Sequence, residues 1–136
     1  MAASVLVDAG YLVALLNSRD THHRWAATHA AEFAPPWSTC EAVLSEAFHL
    51  LGARGAPALS ELLRRRSVRV AFDLAKDLEP VLRLIQKYSD VPMSLADACL
   101  VRMTETFANP VVLTTDADFR IYRRHSRQIV PSVLPD

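Results

Sequence analysis

Five carboxylates stand where a charge needs a partner. Asp8 follows the apolar run Val5-Leu6-Val7, and Glu46 lies inside the apolar stretch from Glu41 to His49. Asp97 follows Ser94-Leu95-Ala96, while Asp116 and Asp118 come two threonines after Val111-Val112-Leu113. A lone carboxylate beside a buried element is unfavourable, so acids able to gather at one edge call for a compensating cation. Hard carboxylate oxygens suit magnesium or manganese rather than zinc. One or two such ions activate water, orient a phosphate and stabilise a leaving oxygen, which is phosphodiester hydrolysis.

Each acid also has a structural explanation. Asp8 fits the N-cap of a following helix. Glu41 completes a capping box with Ser38 and is assigned that role rather than a catalytic one. Glu46 is mid-helix, with Ala42, Val43, Ala47 and Leu50 around it: either that face is exposed, or metal or a basic group pairs with the carboxylate, and a helix apolar almost all round favours the second. Asp97 is three residues after Ser94 and Asp118 three after Thr115, so both can assist helix caps. Helix N-termini and strand carboxyl ends nonetheless share one edge of a parallel sheet, and it is this shared edge that favours the functional reading.

The elements that must do the positioning follow from periodicity and punctuation. The spacing predicts a strand at Val5–Val7, a helix over Ala9–Asn17 and a second from Thr21 to about Phe33, stopped by Pro35-Pro36. An apolar helix should open at Ser38 and end near Gly52, with a short one from Pro57 to Arg66. Val68–Phe72 alternates as an edge strand, and Leu74–Tyr88 reads as a helix that starts late or bends at Pro80. A helix opened by Ser94 runs through Phe107, Val111–Leu113 is a buried strand, Asp116–Arg124 should be helical, and Ile129-Val130 is a final short strand. Short apolar strands separated by helices indicate an α/β fold with a parallel sheet.

Bulk properties narrow the classes. With 136 residues and 51% hydrophobic content, the expectation is a single domain over 1–136. Fifteen basic and fifteen acidic residues leave no net charge, so any nucleic-acid contact must be local. Two arginine clusters exist, Arg64 to Arg66 with Arg69, and Arg120, Arg123, Arg124 and Arg127. The second follows the acidic motif directly, which makes Arg120, Arg123 and Arg124 candidates for gripping substrate phosphate. Cys40 and Cys99 have neither zinc-site nor disulfide spacing and read as reduced core thiols. The histidines lack ligand spacing, and no Gly-x-Ser-x-Gly elbow or glycine-rich phosphate loop is present. With neither a leader pattern nor a membrane-length apolar run, a soluble cytoplasmic protein is expected.

Read in order, Val5-Leu-Val-Asp8, Val43-Leu-Ser-Glu46-Ala, Ser94-Leu-Ala-Asp97-Ala and Leu113-Thr-Thr-Asp116-Ala-Asp118-Phe119 resemble the PIN domain family, particularly its VapC-type toxins. Asp20-Thr-His-His23 and Phe119-Arg-Ile-Tyr-Arg-Arg124 add to the likeness, which spans nearly the whole chain. The resemblance implies a PIN-like, Rossmann-like three-layer sandwich with a short, mainly parallel sheet flanked by helices. It further implies a Mg2+- or Mn2+-dependent endoribonuclease, a homodimer and a small cognate antitoxin. By that likeness Asp8 and Asp97 are principal metal ligands, Glu46 the helical acid and Asp116 the closing acid. Whether Asp116 or Asp118 supplies the fourth carboxylate stays open. One rival is a non-catalytic module whose acidic pocket receives a partner's arginine. Another is a phosphoryl-transfer enzyme with an aspartyl nucleophile, for which the strand-first Asp-x-Asp is missing.

Overall fold

The computed structural model describes residues 2–136. In chain order it has β1 (Ser4–Val7), α1 (Ala9–Leu16), α2 (His23–Glu32), β2 (Trp37–Thr39), α3 (Glu41–Arg64), β3 (Val68–Val70), α4 (Leu78–Lys87) and α5 (Leu95–Thr106). After these come β4 (Pro110–Leu113), a 3-10 turn (Ala117–Arg120), β5 (Arg123–Arg124), β6 (Gln128–Ile129) and β7 (Ser132–Val133). Five strands form one parallel sheet in the order β3-β2-β1-β4-β7, flanked by helices as an α/β three-layer sandwich. Val5, Leu6 and Val7 are all buried, as a strand covered on both faces requires.

Strand order reverses direction at β1, whose neighbours are β2 on one side and β4 on the other. The crevice beyond the carboxyl ends of β1 and β4 is the switch point at which such sheets bind ligands. β1 pairs with β4 from Ser4↔Pro110 to Val7↔Leu113, so Asp8 leaves the sheet level with Thr114. α5 is buried almost all round, with Ala96 to Val101 and Met103 in the core, and carries Asp97 in with it.

Three local expectations are corrected. Ser38 does not open the third helix, because it is a buried strand residue in register with Leu6 and Arg69. The chain stays extended through Cys40, so α3 starts at Glu41, whose carboxylate keeps only a favourable first-turn position. Asp116–Arg124 is not a helix: a single 3-10 turn places Phe119 and Tyr122, three apart, together in the core at a ring distance of 5.3 Å. The chain then extends into β5, which pairs antiparallel with β6 rather than ending in a lone strand, and β7 closes the main sheet.

The two helical stretches expected to end near Gly52 and to begin at Pro57 abut as one element broken at Gly52, whose φ of 65° only glycine adopts without strain. Cys40 and Cys99, distant in sequence, meet through a thiol–thiol hydrogen bond that ties the start of α3 to α5. That bond holds the Cys40 thiol below its ordinary range and, together with burial, pushes Cys99 up.

Candidate metal centre

Main-chain geometry delivers the first acid. The Asp8 N–H donates to Leu113 O at 3.1 Å, continuing the β1–β4 ladder. Its Oδ1 then accepts from Ala9 N–H at 2.7 Å as the cap of α1. Its Oδ2 accepts from the Thr114 hydroxyl at 2.7 Å, and the same Thr114 Oγ1 accepts the Asp116 N–H at 3.0 Å. One threonine therefore sets both strand-end acids. Asp116 Oδ1 in turn accepts the Asp118 N–H at 2.9 Å and caps the 3-10 turn.

Asp97 arrives from α5. Ser94 caps that helix by accepting the Asp97 N–H at 3.0 Å, and Asp97 Oδ2 accepts from the Tyr122 hydroxyl at 2.8 Å. Asp8, Asp97 and Asp116 then each present an oxygen, all within 4.8 Å of one another. Glu46 and Asp118 line the same cavity, of about 270 Å³, without joining that tight trio. Glu46 is solvent-exposed, the less favoured of the two alternatives for it, because α3 turns this side toward the open cavity.

The electrostatics suit a divalent cation. Burial, reinforced by the charges of Asp97 and Glu46, pushes Asp8 up to about 7, against the opposing bonds from Thr114 and Ala9. Asp97 is raised by burial and then by Asp116, with the Tyr122 bond opposing. Burial and the Asp97 carboxylate likewise raise the Tyr122 phenol, so its hydroxyl stays a donor. Among the described residues no Lys, Arg or His lines the cavity. Three convergent carboxylates with no basic side chain beside them fit a hard divalent ion.

Thr114, Tyr122 and Gly10 are site residues that sequence reasoning passed over. A Cβ on Gly10, the second residue of α1, would lie 2.2 Å from Thr115 Oγ1, so the Thr115 hydroxyl as placed occupies the space a side chain there would need. Tyr122, buried between Tyr88 and Phe119, fixes one Asp97 oxygen. Tyr122→Phe keeps the ring packing and removes only that bond. Mn2+ affinity is expected to fall roughly tenfold to a hundredfold, as for other residues that orient ligands, with little change in unfolding temperature. Calorimetric titration with Mn2+ measures it, and unchanged affinity would remove Tyr122 from the site.

Two of the three arginines named from sequence bond to the main chain. Arg123 donates through one guanidinium nitrogen to the carbonyls of Arg120, Ile121 and Tyr122, at 2.7, 3.2 and 3.0 Å. Arg124 donates to Thr104 O, and Arg120 is exposed. None of the three lines the acidic cavity.

Comparison with known proteins agrees with this geometry. The PIN domain family model matches residues 5–124. The structure is similar to that of Mycobacterium tuberculosis VapC20, described as a sarcin-ricin loop cleaving toxin. The TM-score is 0.75 and the identity 25%, over 85% of this chain and 92% of that one. PAE2754 from Pyrobaculum aerophilum matches with a TM-score of 0.55 and 24% identity, over 87% of this chain and 84% of that one, which bears on the fold alone. No curated protein sequence matches.

Proposed function

The chain belongs to the PIN domain family, and on that premise we propose that it is a Mg2+- or Mn2+-dependent endoribonuclease, the toxin of a toxin–antitoxin pair. The observation that carries the reading is the trio of Asp8, Asp97 and Asp116, two of them buried, with no basic side chain lining their cavity. Asp8, Asp97 and Asp116 would hold the cation, with Glu46 and Asp118 at the cavity wall as further acceptors, directly or through water. When bound, the ion supplies a water nucleophile at neutral pH and neutralises charge developing on phosphate oxygens. Thr114 and Tyr122 keep the carboxylates aimed before the ion or the RNA arrives. The likeness to a toxin that cleaves the sarcin-ricin loop supports RNA as substrate and an antitoxin as partner. We read 1–136 as one such domain acting as a homodimer in the cytoplasm. No helix among the described residues is long and apolar enough to cross a membrane.

The test is incubation of the purified chain with a panel of structured and unstructured RNAs, in EDTA and in Mg2+ or Mn2+, beside the Asp8→Asn variant. Cleavage that needs both the ion and Asp8 is the expected result. An intact panel in both ions, with no stabilisation by Mn2+, would instead favour a pocket that receives a partner's arginine.

A further inference from the structure

A polyanionic strand cannot lie on acids alone. Arg123 and Arg124 donate to main-chain carbonyls and Arg120 is exposed outside the acidic cavity, so cations elsewhere on the surface can also steer RNA to this site. A cavity of about 500 Å³ lies between the end of α1 and the break in α3. Arg19 and Arg54 line it together with Asn17 and Ser18, and no acidic residue does. Both arginines are exposed, and neither guanidinium has an ion pair or hydrogen bond among the described residues.

This cavity and the acidic one adjoin at one residue. Leu50, exposed on α3, lines both. Along one wall α1 starts at Asp8 and Gly10 in the acidic cavity and ends at Leu16 in the basic one. Along the other, α3 passes from Glu46 through Leu50 to Arg54. The eight residues of α1 rise about 12 Å, which spans roughly two to four phosphates of a strand. The break at Gly52 turns the second half of α3 so that Arg54 faces the α1–α2 turn. Gly55 lets that half close in, since a Cβ there would meet Leu51 Cβ at 2.8 Å.

The geometry points to a phosphate-binding subsite formed by Arg19 and Arg54, which holds the backbone of single-stranded RNA a few nucleotides from the bond placed over the carboxylates. It rests on the ribonuclease reading for its ligand. Two unpaired guanidiniums, the Asn17 amide and the Ser18 hydroxyl are all donors, the set that phosphodiester oxygens accept from. Leu50 offers an apolar ridge between the two cavities against which a base can rest.

Binding measured without cleavage separates this subsite from the reaction. In the Asp97→Asn background, fluorescence anisotropy with a labelled single-stranded RNA should show an affinity about tenfold weaker in Arg19→Gln/Arg54→Gln. The logarithmic salt slope should become shallower by about 1.4, the loss of two single-strand phosphate contacts. With Asp97 restored, the same double substitution should leave Mn2+ affinity unchanged, which shows the site still folded. Arg65→Gln/Arg69→Gln removes equal charge from the exposed far end and should change RNA binding little. Unchanged affinity in Arg19→Gln/Arg54→Gln, or an equal loss in the far-end control, would overturn the subsite. Arginine-dependent binding with no cleavage of any RNA would sustain the subsite while sinking the nuclease reading.

Discussion

Asp8→Asn is expected to abolish ion-dependent RNA cleavage and, in metal-free protein near pH 8, to raise the unfolding temperature. The two effects share one cause. The Asp8 carboxyl is pushed up to about 7 by burial beside other acids, so its ionised form costs the folded state up to roughly 4 kcal/mol above its free value. Asparagine keeps an acceptor for the Ala9 N–H and turns an amide toward Thr114 Oγ1, so the interior loses a charge at the smaller cost of the acceptor to which the Thr114 hydroxyl donated. Metal-free stability should rise by about 1 to 4 kcal/mol, or several degrees for a chain of this size.

Cleavage should move the other way. Removing one of three close carboxylates withdraws a ligand and a negative charge, which is worth several kcal/mol of transition-state stabilisation, a thousandfold or more. Asp97→Asn should lose cleavage equally. Calorimetry in EDTA and single-turnover cleavage in Mn2+ measure the pair. A variant that is less stable yet fully active would defeat both the electrostatic account and the site. Stability gained by deleting a functional charge is the usual exchange at a site built against its own fold.

Where sequence and structure agree, the signal was local and redundant. Val5–Val7 and Val111–Leu113 are short apolar runs with a carboxylate just beyond, and they emerge as neighbouring central strands with Asp8 and Asp116 at their ends. Ser94 three residues before Asp97 announced both a cap and the position of an acid, and it is both. Where they part, tertiary contacts decided. Ser38-x-x-Glu41 has the residues of a capping box, but pairing with β1 and β3 claims Ser38 for a strand. Phe119 and Tyr122 fit a helix as well as a 3-10 turn, and only the core space around Asp97 selects the turn.

The arginines teach the same lesson about side chains. Arg123 and Arg124 sit next to the acidic motif in sequence, yet both end on carbonyls. Arg19 and Arg54, 35 positions apart, share a cavity only because α1 packs along α3. No spacing rule joins residues from two helices. The period of three from Phe119 to Tyr122 was the one available sign that the tyrosine points inward.

Metal-free protein is expected to lose stability as pH rises from about 4 to about 7, and Mn2+ to restore it only toward the upper end. The unfolded Asp8 carboxyl loses its proton near 3.8 while the folded one keeps it to about 7. Between those values the native state binds more protons, so the unfolding free energy falls with rising pH, by up to about 1.4 kcal/mol per unit for one group. The contribution is therefore fully present below 3.8, the unfolded value, and gone above 7, the folded one. Asp97, raised in the same direction by the same burial, adds to the slope. A cation reverses the order because it binds the ionised carboxylates: below about pH 7 it must displace the Asp8 proton, and its apparent affinity falls by up to tenfold per unit. Denaturant unfolding at several pH values, in EDTA and in Mn2+, resolves the two curves. They should converge in acid and separate above neutrality, and Asp8→Asn should flatten most of the EDTA slope. Mn2+ stabilising the protein more at low pH than at high would mean that the ion is held by other groups. Burial and carboxylate repulsion, which weaken the metal-free fold at neutral pH, are the same free energy that draws the cation in.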